Sequence, residues 1–154
     1  MILNEDYRDI LHALNAEQVD FILVGAYALA VHGYPRATMA IDLWIMPSLE
    51  NAEAVIRAIK RFGAPLHGLS VADLQHDDTV FQIGVAPRRI DLITGATGLR
   101  YDAAAEKAIH KQIDEIEIKV LSIQDLIINK EATGRLKDQA DAEELKRLQD
   151  RDGP

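Results

Sequence analysis

Tyr7, Ile10, Leu11 and Leu14 fall at i, i+3, i+4 and i+7, one face of an α-helix, and Asn4 stands where a cap belongs. The pattern therefore predicts a helix over residues 5–17. Phe21 to Val24 is an unbroken apolar run of strand type, and Gly25 lets the backbone turn from it into a short helix over 26–32. A second strand is predicted over 40–46, where Ala40, Asp42 and Trp44 share one face and Ile41, Leu43 and Ile45 the other, with the aliphatic face buried. Pro47 stops it. Ser48 caps a helix over 49–62 whose inner face holds Val55, Ile56 and Ile59, with Gly63 behind it. A short helix near 71–75 then leads to strands over 79–84 and 88–93, joined by a turn around Pro87. A helix at 102–110, a hairpin over 112–121, a helix from Ser122 and Asp125 to Thr133, and a last helix over 138–149 complete the pattern. Helices alternating with strands predict an α/β fold in which a small mixed β-sheet is flanked by helices.

Polar residues set into this apolar frame are the candidates for chemistry. The helix that opens after Gly25 and Ala26 presents unpaired N–H groups and roughly half a positive charge, which suits a phosphate. Asp42 interrupts an Ile/Leu/Trp run, and strands seldom accept aspartate there without a reason. Asp91 sits in the same setting between Ile90 and Leu92, with Arg88 and Arg89 as partners near at hand. Lys130 lies four residues after Leu126 and three after Ile127, on the apolar face of its helix, where a lysine either snorkels to the rim or meets an anion. His76 with Asp77 and Asp78 lies in a polar loop that reads poorly as a metal site, and His32 reads as the end of a short helix. Tyr34 and Trp44, as isolated aromatics, fit core or rim better than a base-stacking platform.

Composition narrows the setting. A chain of 154 residues fits one domain, 1–154, large enough to bury a core without metals or disulfides, and its lack of cysteine excludes a thiolate metal site. With 17 Lys plus Arg against 25 Asp plus Glu, the formal net charge of −8 disfavours a broad nucleic-acid footprint. The N-terminus has no signal-peptide pattern and no stretch has the ~18 apolar residues of a membrane helix, so the expected location is cytoplasmic.

The run VGAYALAVHGYPRATMAIDLW (24–44) resembles the minimal nucleotidyltransferases of the DNA polymerase β superfamily, in particular the bacterial branch close to the AbiEii toxins. Those proteins read as strand, Gly-Gly or Gly-Ser, short helix, then Arg-x-Thr-x-Asp-x-Asp. Gly25, Arg36, Thr38 and Asp42 match; Ala26 stands at the second small position and Ala40 where the first aspartate belongs. The likeness continues through RRIDLIT (88–94) and the helical stretch 126–145, where Asp138 and Asp141 match a Lys-Asp-x-x-Asp run and Leu136 replaces a common proline. It implies a polymerase β-like nucleotidyltransferase fold, with Asp42 and Asp91 as catalytic carboxylates and metal ligands. Gly25, Ala26, Arg36, Thr38 and Lys130 then bind the nucleotide, and Mg2+ is the cofactor. The implied reaction moves NMP from an NTP to a hydroxyl of a protein, a tRNA or a small molecule, impaired here by Ala40, in a toxin-antitoxin or phage-defence setting with a cognate partner. The alternative is an inactive nucleotide-sensing or partner-binding module of such a system.

Overall fold

The computed structural model describes residues 1–151, so the last three residues of the expected 1–154 unit lie outside the description. Six strands form one mixed sheet: β1 (Phe21–Val24), β2 (Ala40–Ile45), β3 (Val80–Ile83), β4 (Arg89–Ile93), β5 (Ile109–Ile113) and β6 (Ile116–Val120). Their order is β3-β4-β2-β1-β6-β5. β2 runs antiparallel to β1 but parallel to β4, and β1 runs parallel to β6. The two edges are antiparallel hairpins, β3–β4 and β5–β6. Asp114 and Glu115 close the second with φ of 51° and 69°, the paired positive values that a tight hairpin turn requires.

Helices α1 (Glu5–Ala16), α2 (Gly25–Val31), α3 (Leu49–Phe62), α4 (Tyr101–Lys107), α5 (Ile123–Ala132) and α6 (Leu136–Arg151) accompany the sheet. The stripe Tyr7, Ile10, Leu11, Leu14 is fully buried, as its period requires. Asn4, Ser48 and Ser122 each accept the backbone N–H three residues on, so all three predicted caps form. α1 packs beside α3, and α5 beside α6. Asn51 on α3 ties that helix to the sheet, accepting from Asp20 N and donating to the carbonyls of Asp20 and Met46.

Several boundaries differ from the sequence reading. α4 ends at Lys107 because Ala108 is extended, and β5 begins at Ile109, three residues before the expected hairpin start, because Ile109 pairs with Val120. α6 runs from Leu136 rather than Asp138, since its first turn is polar and carries no apolar period. On α3, Ile56 is only half-buried and Ala52 and Ala58 complete the inner face. β2 is covered on both faces, not only the aliphatic one: Ala40 and Trp44 are buried, and Asp42 is its sole half-buried residue. Trp44 is core, packed edge-to-face on Tyr101 with ring centroids 5.2 Å apart. Among the described residues no helix is long and apolar enough to cross a membrane.

Candidate active site

The parallel register of β2 on β4 sets Asp42 directly opposite Asp91, so two carboxylates from strands far apart in sequence share one face of the sheet. Gly25, the first residue of α2, closes over them. Its φ is +69°, and a Cβ there would fall inside the van der Waals shell of Asp42 Oδ2. Glycine is required at this point both for the turn and for the approach of the carboxylate.

The two acids are unlike. Asp91 is forked by Arg89, with Nε to Oδ1 at 2.8 Å and Nη2 to Oδ2 at 3.1 Å, so the partner anticipated for it is present and bidentate. For Asp42, burial and then the neighbouring Asp91 raise the pKa from 3.8 to about 7, with Arg89 and Lys130 pulling it back in part. Ala40 lies opposite Arg89 in the same register, on the face of Asp42. An aspartate at 40 would complete a carboxylate pair there; the methyl group offers no oxygen.

Beyond Asp42 the cleft holds about 560 Å³, with Gly25, Ala26, Thr38 and Met39 on one side and Lys130, Asp138 and Asp141 on the other. Lys130 does face it, from α5, with Nζ 3.3 Å from both Asp138 Oδ1 and Asp141 Oδ2. Arg36 also pairs with Asp141 and lies over the ring of Tyr34, 5.6 Å from its centroid. Asp141 therefore joins the segment before β2 to α5, and Asp138 and Asp141 are buried rather than part of a solvated face. Thr38 turns onto its own backbone, donating to Ala40 O at 2.9 Å, so it shapes the entry to β2.

Three residues passed over in the sequence belong to this neighbourhood. Arg135 and Lys137 line the cleft, Arg135 held by Asp138 at 2.7 Å. Arg135 drew no reading from the sequence and Lys137 entered only through the Lys-Asp-x-x-Asp match; the docking of α6 on α5 brings both in. Tyr7 donates its hydroxyl to the carbonyls of Arg89 and Pro87, fixing the start of the strand that bears Asp91. Its place on the apolar stripe of α1 gave no sign of this. Among the described residues no group of three His, Asp or Glu side chains is placed to hold a metal.

The raised pKa has a consequence for stability. The unfolded chain ionises Asp42 near 3.8 and the native chain near 7, so the native state holds the extra proton between them. That contribution is full below about pH 4 and is lost as pH rises through 7. Asp42→Asn should therefore be more stable than the parent at about pH 8, on the order of 1 kcal/mol or about 2–4 °C, with the gap closing toward about pH 4. Thermal melts across that range check it; a variant less stable than the parent at the alkaline end would contradict the assignment.

The family "Nucleotidyl transferase of unknown function (DUF2204)" matches residues 3–153, and the chain belongs to it. The fold agrees with a crystal structure of a candidate nucleotidyltransferase from Thermotoga maritima, with a TM-score of 0.58 at 17% identity over 95% of this chain and 94% of that one. At that identity the likeness speaks for the fold alone, here a nucleotidyltransferase fold. No curated protein matches the sequence. The finer placement near the AbiEii toxins rests on the motif resemblance.

Proposed function

We propose that the cleft binds a nucleoside triphosphate with Mg2+, and that the site is built to pass NMP to a hydroxyl acceptor, at a rate held low by Ala40. One observation carries this reading: in a protein of net charge −8, Arg36, Lys130, Arg135 and Lys137 gather at a cleft lined by Asp42, which stands opposite Asp91 in the β2–β4 register. Clustered cations answer a triphosphate. Paired carboxylates answer a hard cation. The donor set fits one Mg2+ held by Asp42 and Asp91 with phosphate oxygens and water, since Mg2+ takes one or two carboxylates in such sites. It does not offer the shared bridge of two ions. When bound, the ion offsets triphosphate charge.

The chain's own groups divide the remaining tasks. Lys130 and Arg36, held by Asp141, and Arg135, held by Asp138, bind and orient the phosphates. Gly25 keeps the wall thin enough for the nucleotide to approach Asp42. Asp91 is fixed in orientation by the bidentate fork of Arg89, and with Asp42 beside it would hold the ion.

A second reading has its own support. Ala40 removes a carboxylate, and Arg36 and Lys130 already have acid partners, as expected of a nucleotide-sensing or partner-binding module in a toxin-antitoxin or phage-defence pair. Calorimetric titration with each NTP and MgCl2 separates binding from transfer. Binding is expected with at least one NTP, only weakly dependent on Mg2+, and Lys130→Ala should weaken it roughly tenfold, the worth of one charge-assisted hydrogen bond. No heat from any NTP at millimolar concentration would remove the nucleotide from both readings.

A further inference from the structure

Arg89 stands opposite Ala40 in the β2–β4 register, and alternation along the strand puts it on the face that carries Asp42 and Asp91. From there it reaches along β4 to the carboxylate two residues on. Nε donates to one oxygen of Asp91 and Nη2 to the other, at 2.8 and 3.1 Å, so neither oxygen lacks a guanidinium donor. The side chain of Asp91 is 11% exposed and that of Arg89 32%, which makes the arginine the more open member of the pair.

The same arginine acts on the second acid. Burial and the charge of Asp91 raise the pKa of Asp42, and of the two cations that oppose them Arg89 acts more strongly than Lys130. Lys130 is itself engaged by Asp138 and Asp141. Two facing carboxylates withdrawn from water need a cation beside them, and this chain supplies one of its own.

Among the described residues no third acid or histidine joins Asp42 and Asp91 to hold an ion. A hard cation bound through two carboxylates needs both of them, and one is already forked. We propose that Arg89 is the resident counter-cation of the Asp42 and Asp91 pair, and that a divalent ion must compete with its guanidinium for Asp91. The weak demand for Mg2+ is then a property of Arg89 as well as of Ala40. This inference rests on the reading of Asp42 and Asp91 as the carboxylates of the nucleotide cleft, but its test involves no nucleotide, so its failure leaves the outcome of the NTP titration untouched.

The full chain, freed of metal, is titrated with MnCl2, and the unbound ion is counted by its paramagnetic resonance. The parent should bind weakly, with a Kd of about 1 mM or more. Arg89→Gln removes the charge and the fork and should tighten Mn2+ about tenfold or more. The same variant should melt below the parent in EDTA, because it leaves Asp91 unpaired, and Mn2+ should recover the difference. Arg89→Lys keeps the charge and should bind Mn2+ as weakly as the parent. Arg88→Gln makes the same change in net charge at an exposed residue paired with Asp6, and it should leave Mn2+ affinity unaltered. Asp91→Asn added to Arg89→Gln should abolish the gain, which places the ion at Asp91. An Arg89→Gln chain that binds Mn2+ no tighter than the parent, or an equal gain in Arg88→Gln, overturns the proposal. So does a parent Kd below about 10 μM, a result that requires no variant to fold.

Discussion

Replacing Ala40 by aspartate is expected to raise NMP transfer by roughly a hundredfold or more over the parent chain. Position 40 is two residues before Asp42 on β2 and on the same face, so the new carboxylate joins Asp42 and Asp91 and completes a donor set for two ions. Stabilising the charge on a transferring phosphoryl group contributes several kcal/mol, and each ~1.4 kcal/mol is tenfold in rate. The same substitution carries a cost in the absence of metal. Ala40 is 5% exposed, and Asp42 is already pushed to about 7 by burial and by Asp91. A third acid there should lower the melting temperature in EDTA, and Mg2+ should restore it. Arg89, opposite position 40, moderates the loss. Label from α-³²P NTPs, offered tRNA, a purified partner protein or cell lysate as acceptor, measures the gain. If the variant folds and binds nucleotide yet labels nothing with any of the four NTPs, the sensing or partner-binding reading takes over.

How much of this was legible beforehand depends on the range of the interaction. Caps and apolar stripes are local, and Asn4, Ser48, Ser122 and the α1 stripe behave as the sequence says they should. Asp42 and Asp91 stood out because each breaks an apolar strand, but nothing in either segment dictates their register; that comes from β2 and β4 lying side by side in parallel. The cationic rim was harder. Lys130 betrayed itself by sitting on an apolar face, whereas Arg135 and Lys137 look like any solvated helix start until α6 docks and buries Asp138 and Asp141. Trp44 is core, one of the two places the sequence allowed it, but the covering of its face was not foreseen. Alternation put it on a polar face with Asp42, and only the packing of Tyr101 shows that this face is covered as well. Period-two reading identifies which residues share a face but not what lies above it.

Gly25→Ala in the Ala40→Asp background is expected to cost about a hundredfold in transfer, with Gly33→Ala as its control. Both glycines hold positive φ, +69° and +96°, so alanine carries a backbone penalty of roughly 1–2 kcal/mol at either site. Melting temperatures should fall by a few degrees in each, since 1 kcal/mol corresponds to about 2–4 °C in a chain of this size. What differs is the surroundings. A Cβ at 33 meets nothing within 4 Å, whereas one at 25 enters the space of Asp42 Oδ2 and forces the carboxylate aside. Misplacing a catalytic group by about 1 Å is enough for a hundredfold loss. Gly33→Ala should therefore keep its activity despite its loss of stability, while Gly25→Ala should lose activity below its own melting transition. The pH dependence of stability should change with it, because a carboxylate moved from between Gly25 and Asp91 sheds the burial and repulsion that hold its pKa near 7. Equal activities of the two variants would mean that Gly25 serves the turn alone and that the position of Asp42 does not limit transfer.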